Sequence, residues 1–579
     1  MDPITYFKTP QTIAHQHYEA LRAFFVQGQT AQDVASTFGY TTSTVYSLIR
    51  DFRHRLATQP FVDPFFITSN AGRQPKDPSG ALDRHIIALR KTYLSVPDIK
   101  AILNAQGERV SERYIYDVIT QDGFTRLPRR PRSVKSQAAS ATILPAPPAT
   151  VLAFTPERFA SAHALGILCL LPYLQRYGID RLIDMSAYPQ TTTLPRLASI
   201  LSFVALKLSN VRRYTADDLW CMDRGLGLFA GLNVLPKAAW FSSYSHRVTR
   251  AMNRTFLQGL HNLWQAQGLL SDTANLDFTT IPYWGDASHL ENNWSGTRHR
   301  GLASMLAVLA QEPETGLITY GDTTIRHDHQ SDVVLEFLDF YHHAGKLDLA
   351  YLVFDSKFTT YENLARLDPE VKFITIRRRG KNIVDGLAAL PGSAWQSVRV
   401  PAADGKGRTL RVYDSQVFLR DYGKKIRQVA ITGHGKHKPA LIITNDFDCA
   451  VKHILRAYAR RWLVEKEISE QIEFFHLNRV SSSVVIKVDF DLTMSILAHN
   501  LLRLFAQDLS GYEHQTAPTL YNKFLANSGV VAITPEQVVV KLNKKRTLPV
   551  LLMAMAPFQG HRIRLWGNRT ATFAGDTRS

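Results

Sequence analysis

The stretch "LAYLVFDSKFTTYENL", residues 349–364, changes character halfway. Its apolar run "LAYLVF" (349–354) reads as a strand buried on both faces. It ends in Asp355, and a helix is expected over about 359–366. Ends of buried strands in open α/β sheets are where sites form. Asp355 could equally cap the helix that follows. Upstream, "LDFTTIPYW" (276–284) alternates and puts Asp277, Thr279 and Ile281 on one face. "SMLAVLAQ" (304–311), the turn "EPETG" and "LITYG" (317–321) make a hairpin, and a helix follows at about 330–344. Downstream, "VKFITIRR" (371–378) is a further strand. The order strand, strand, strand, helix, strand, helix, strand predicts an α/β fold.

Residues 379–446 read as a β-rich insertion with turn signals at "ADGKGR" and "GHGKHK". Then comes "ILRAYARRWLVEKEISEQIEFF" (454–475), one helix with a stripe of Ile454, Tyr458, Ile468, Ile472 and Phe475. Arg461 and Glu465 hold the two middle places of that stripe. An Arg and a Glu four apart most often form a solvated pair worth a few tenths of a kcal/mol, roughly. A solvated pair should not interrupt a core face. Three acids, Asp277, Asp355 and Glu465, thus occupy informative places. Brought together, carboxylates repel unless something positive separates them. Hard oxygen ligands suit Mg2+ or Mn2+, and two such ions can drive phosphoryl transfer. Arg461 would then pair with Glu465 or grip phosphate. Asp286 and Asp322, expected in loops, and Glu467 and Glu470, off the stripe, are less well placed.

The chain has 579 residues, enough for several domains, with 45% hydrophobic and 20% charged residues. Sixty-eight Lys and Arg against 50 Asp and Glu leave a net charge of +18, which suits a polyanion, nucleic acid above all. The apolar run "LGILCLLPYL" (165–174) is too short to span a bilayer and contains Pro172. Three cysteines lie far apart and indicate no Cys-based zinc site or disulfide framework. The N-terminus lacks the order of a signal peptide, so a cytosolic protein without membrane attachment is expected.

Two N-terminal stretches share one plan. In residues 1–65, Thr30 and Asp33 form a capping-box pattern, Gly39 breaks the chain, and a second helix starts near Thr42 or Ser43. Its inward residues are Val45, Leu48, Ile49 and Phe52; Thr44, Ser47 and Arg50 are left outward for DNA, which is the helix-turn-helix plan of a DNA-binding domain. Residues 83–125 read as a second helix-turn-helix unit, with Ser95 and Ser111 as caps. A plain helical hairpin fits the same pattern. Residues 126–150 read as a basic Pro/Ala linker whose Arg129, Arg130 and Arg132 suit a phosphate backbone. Residues 151–270 are expected to be helical. Their Gly225, Gly227 and Gly231 miss the dinucleotide fingerprint, since the third glycine is one place late. The segment 511–579 has strand-like "QVVVKL" (537–542) and "LPVLLMAM" (548–555) and no assigned role.

Residues from about 155 to 505 resemble a DDE transposase of the insertion-sequence family four superfamily. The residues that carry the likeness are "LDFTTIPYWG", "YGDTTIRHDHQSD", "VFDSKFTTYENL", and Tyr458, Arg461 and Glu465 at the family's Tyr-x2-Arg-x3-Glu-x6-Lys spacing. Ile472 stands where the family has a Lys that the resemblance implies would contact DNA phosphate; His476 and Arg479 lie nearby. The resemblance implies a ribonuclease-H-like catalytic core in two parts, 271–378 and 447–510, split by the insertion 379–446. It implies that Asp277, Asp355 and Glu465 hold two divalent ions, with Arg461 and Tyr458 facing DNA. Trp395 would be the aromatic candidate for stacking on a flipped base. The expected partner is double-stranded DNA, the element's terminal repeats and target, bound by a dimer in the bacterial cytoplasm at the nucleoid. A related metal-dependent nuclease or recombinase, or an inactive DNA-binding regulator, are the alternatives.

Overall fold

The computed structural model describes residues 9–58, 65, 80–91, 94–105, 108, 110–124, 148–211, 219–282, 290–295, 300–344, 349–355, 360–401, 407–434, 438–477 and 485–576. Side chains are excepted at 105, 219, 294–295, 327, 401, 462–469 and 485–486. The chain divides into two compact units, 1–83 and 84–579.

The first unit contains α1 (Ile13–Phe25), α2 (Ala31–Phe38) and α3 (Thr42–Thr58). The capping box expected at Thr30 and Asp33 forms at the start of α2, and Gly39 ends that helix at φ 72°. A left-handed residue at that place costs glycine little and satisfies a terminal carbonyl. Val34, Val45 and Ile49 pack with Ala20 and Leu21 of α1 into one small core. α4 (Ala81–Lys91) leads into the second unit, followed by α5 (Val96–Ala105) and α6 (Glu112–Gln121). Ser95 and Asp98 bond reciprocally at the start of α5, and Ser111 caps α6 by accepting from the Tyr114 N–H.

The region expected to be helical opens instead on a strand, β1 (Glu157–Ser161), before α7 (Arg196–Leu208), α8 (Ala238–Ser245) and α9 (Arg250–Ala266). The cause lies about 370 residues downstream: β1 pairs antiparallel with β12, Glu157 opposite Ile533. Between α7 and α8, Gly227 is a packing glycine, because a Cβ there would meet Asn233 O and Val234 Cα at 2.8 Å.

The central sheet is built from β2 (Thr273–Pro282), β3 (Asn292–Ser295), β4 (Arg300–Gln311) and β5 (Ile318–Ile325). After α10 (Val333–His343) come β6 (Tyr351–Phe354), α11 (Tyr361–Leu367), β7 (Lys372–Ile376) and α12 (Lys381–Ala388). Strands β8 (Gln396–Pro401), β9 (Gly407–Leu419), β10 (Lys424–Thr432) and β11 (Ala440–Thr444) precede α13 (Val451–Glu473) and α14 (Val485–Gln507). Among the described residues the order is β3-β4-β2-β6-β7-β11-β10-β9-β8, with β5 on β4. β2, β6 and β7 run parallel, while β4 and β5 are antiparallel additions. β11 pairs with β7, so the β-rich segment 379–446 continues the same sheet.

Period-two alternation divides this sheet into two faces. Leu352, Phe354, Phe373 and Ile443 join the large core shared with α9, α10 and α14. Val353, Ile374, Val429 and Ile442 face the other way and bury Ile454 and Leu455 of α13. Each such side chain contributes about 1.5–3 kcal/mol. α14 is buried along most of its length, and its Asp489 and Asn500 are hydrogen-bonded inside the core. It approaches β5 so closely that a Cβ on Gly321 would meet Ile496 Cδ1 at 2.5 Å. Among the described residues no helix is long and apolar enough to cross a membrane.

The last segment holds β12 (Gly529–Ile533), β13 (Gln537–Leu542), α15 (Leu548–Met555), β14 (Arg562–Ile563) and β15 (Arg569–Gly575). With β1 they form a second sheet, β1-β12-β13-β15-β14. "LPVLLMAM", expected as a strand, is the helix α15. Leu, Met and Ala are strong helix formers, and Pro549 lies in the first turn, where a missing N–H costs nothing.

One buried group makes this fold sensitive to acid. His261 of α9 is 1% exposed and sits edge-on to Tyr341 at 4.6 Å. Neither ring nitrogen has a hydrogen-bond partner among the described residues. Burial pushes its pKa down from 6.5 to about 4. The unfolded chain therefore binds the proton first, and stability falls as pH drops from 6.5 toward 4. The loss is about 3 kcal/mol. We expect His261→Phe to flatten this part of the pH dependence, read from urea midpoints across that range.

Candidate active site

β2 and β6 are parallel neighbours, in register from Thr273 opposite Tyr351 to Leu276 opposite Phe354. One residue further along each strand come Asp277 and Asp355. Strand spacing of about 4.8 Å puts their backbones side by side. Asn275 lies opposite Val353, so by alternation both aspartates belong to the sheet face that α13 covers. Asp277 is buried and Asp355 half-buried.

Across that face, Ile454 and Leu455 anchor α13 on the sheet, and the helical step carries Tyr458 and Arg461 to the aspartates. Arg461 is 4% exposed, and its Nη1 donates to Asp277 Oδ2 at 2.8 Å. Its guanidinium carbon lies 5.3 Å from the centre of the Tyr458 ring. Burial pushes the Tyr458 hydroxyl up to about 12; Arg461 opposes this, and the charges of Asp355 and Asp277 add to it. Four of the residues expected in the site thus share one electrostatic neighbourhood. Arg461 pairs with Asp277, a partner the helix sequence alone did not offer. Glu465 follows Arg461 by four residues within α13, and its side chain lies outside the described residues. Among the described residues, no three His, Cys, Asp or Glu side chains form a metal-sized cluster.

The start of α13 is held by a clamp that sequence reading missed. Arg427 of β10 donates through Nη2 to Asp414 Oδ2 at 2.7 Å, and through Nη1 to the carbonyls of Asp446, Phe447 and Cys449. Asp446 in turn accepts from Tyr351 Oη, from Lys372 Nζ at 2.9 Å and from the Cys449 N–H. Burial alone would raise the Asp446 pKa, but these donors hold it down at about 2. The lead into α13 is therefore tied to four strands. Removing one partner of such a pair is costly, so we expect Arg427→Ala to lower the unfolding free energy by about 3 kcal/mol. Arg427→Lys, with one ammonium in place of a fork, should recover less than half in the same urea melts.

Other expected residues fall out as follows. Asp322 lies inside β5, not in a loop, and is buried in an ion pair with Arg250 of α9. Burial pushes its pKa up, but Arg250 and Thr324 outweigh that and leave it below the ordinary carboxylate range. Glu470 is buried and accepts from the Ala517 N–H. Ile472, at the place of the family Lys, packs against the main core. His476 Nε2 lies 2.6 Å from Asn210 Oδ1. Trp395 is half-buried against Leu387 and Tyr413, with Arg411 over its ring. In the first unit, Arg50 is exposed, Ser47 is half-buried, and the Thr44 hydroxyl pairs with that of Thr41 at the start of α3. Arg129, Arg130, Arg132, Asp286 and Arg479, and the side chain of Glu467, lie outside the described residues.

A search among curated proteins gives no match. Residues 273–501 match the family model described as "Transposase DDE domain". That span runs from β2 into α14 and includes Asp277, Asp355, Tyr458, Arg461 and Glu465. This match supports a DDE transposase.

Proposed function

We propose that this chain is an insertion-sequence transposase that binds its element's terminal repeats, cuts there and joins the ends to target DNA. The observation that carries this reading is the placement of Asp277 and Asp355 side by side under α13, with Arg461 buried against Asp277. A ribonuclease-H-like core is supported by the order β5-β4-β2-β6-β7, antiparallel on one side of β2 and parallel on the other. The helix, left-handed glycine and helix at 31–58 support a helix-turn-helix role, with Arg50 outward for DNA. A dimer on DNA would bring two ends together.

Asp277 and Asp355 supply hard carboxylate oxygens from adjacent strands, a donor set that fits Mg2+ or Mn2+, with Glu465 as third ligand. Bound there, two divalent ions would activate the attacking oxygen and stabilise the leaving one. Arg461 holds Asp277 in place and offsets its charge. Tyr458 keeps a protonated hydroxyl beside the carboxylates. Ile472 favours a second reading, a regulator that binds DNA without cutting, because an apolar side chain occupies the place of a phosphate-binding Lys. Strand cleavage of DNA carrying this gene's flanking sequence, with Mg2+ or with EDTA, separates the two. Nicks at the element ends that require Mg2+ are the expected result; tight binding without nicks would leave the regulator.

A further inference from the structure

α13 carries charge on its outer face in an arrangement that a helix by itself does not favour. Lys452 and Arg456 are exposed, and the side chain of Arg460 is 31% exposed. The three lie at steps of four, so they share one face and follow each other about 6 Å apart along the axis. Exposed Ala459 adds little bulk beside them. Ile454, Leu455, Tyr458 and Arg461 are turned the other way, to the sheet and the aspartates. Like charges four apart destabilise a helix, and cations in the first turn oppose its dipole. Yet Lys452 and His453 stand in that turn, and no acid does.

Among the described residues one carboxylate bonds to this ridge, and it comes from outside the helix. Glu314, in the turn between β4 and β5, accepts from Nη1 of Arg460 and from Nη2 at 2.8 Å. The turn that offers it is firmly held. Buried Glu312 accepts from Ser271 Oγ at 2.6 Å, from the Thr315 hydroxyl at 2.6 Å and from the N–H groups of Glu314 and Thr315. The bond from Arg460 outweighs burial and keeps the Glu314 carboxyl below its ordinary pKa, with the charges of Arg460 and Arg456 adding to it. The Glu314 side chain is 58% exposed, so the pair lies within reach of a solute. A phosphodiester offers a guanidinium the same two-oxygen fork as a carboxylate. The ridge is about 12 Å long, and a strand with one charge per about 3.4 Å of axis lays about three phosphates along it.

We propose that Lys452, Arg456 and Arg460 carry the backbone of one strand of substrate DNA along the outer face of α13, with a phosphate displacing Glu314 from Arg460. This rests on the DNA reading above. Arg460 adjoins Arg461 in the chain, so a strand on the ridge runs to the edge of the candidate site. Glu314 holds Arg460 in place until DNA arrives, and its charge opposes binding.

The test uses the full chain and a duplex of arbitrary sequence, with affinity measured across salt concentrations. Lys452 and Arg456 are exposed, so the Lys452→Gln/Arg456→Gln variant should fold as the native chain does. Two lost contacts reduce the slope of log K against log salt by about 1.8, and affinity about thirtyfold at about 0.15 M salt. Lys541→Gln/Arg546→Gln removes the same charge from exposed places elsewhere and should stay within about twofold of native. Glu314→Gln should act in the opposite direction and bind about threefold tighter, the worth of one exposed ion pair. A slope unchanged in the ridge variant, or lowered as much in the control, overturns the ridge. A Glu314→Gln chain that binds no tighter overturns the exchange at Arg460. If the native chain binds no duplex at any salt, the DNA reading itself fails.

Discussion

Asp355→Asn lowers Mg2+-dependent strand cleavage at the element ends about a thousandfold, equivalent to about 4 kcal/mol of barrier. The amide keeps the shape of the carboxylate and discards its charge, so DNA affinity should stay within about twofold of native, given how little one distant charge adds to phosphate binding. Asp277→Asn and Glu465→Gln should lose cleavage alike, since all three are assigned one role, and Asp277→Asn should also lose stability with its bond to Arg461. Asp322→Asn is the contrast. Its carboxylate is spent on Arg250 and Thr324, so its loss should appear first in the unfolding curve. Equal cleavage by Asp355→Asn and the native chain would remove Asp355 from the centre.

Arg461→Met should produce the second large effect, on stability. It takes the Arg461 counter-charge away from the Asp277 carboxylate, whose side chain is 12% exposed, beside Asp355. Stranding one partner of a buried pair costs about 3–5 kcal/mol. A divalent ion that binds only the folded chain would return part of that loss by mass action. Thermal unfolding with and without Mg2+ therefore separates this account from plain loss of packing. We expect Mg2+ to raise the midpoint of Arg461→Met more than that of the native chain. The Asp277→Asn/Arg461→Met double variant should be less destabilised than the two single losses summed, because the two residues share one bond. A variant that is stable without Mg2+ and indifferent to it would show that the pair matters little.

What could be read from the sequence follows the range of the forces. The capping box at Thr30 and Asp33 spans three residues and was legible. So was the buried strand ending at Asp355, since its cause is a local run of apolar side chains. An interrupted stripe on α13 likewise announced that Arg461 faces inward. Its bond to Asp277 was not legible, because Asp277 is 184 residues away in the chain. The pairing of β1 with β12 was hidden for the same reason. "LPVLLMAM" failed differently. A short apolar run fits a buried helix as well as a strand, and only the unbranched side chains and Pro549 favoured the helix.

The most direct measurement places the metal. Fe2+ with ascorbate and peroxide cuts a polypeptide next to the bound ion, and it should replace Mg2+ in the full chain on DNA carrying the flanking ends. Cuts clustered around 277, 355 and 465, suppressed by excess Mg2+ and absent in Asp355→Asn, are the result expected here. Cuts elsewhere, or none that Mg2+ can suppress, would contradict a catalytic centre made by these three acids.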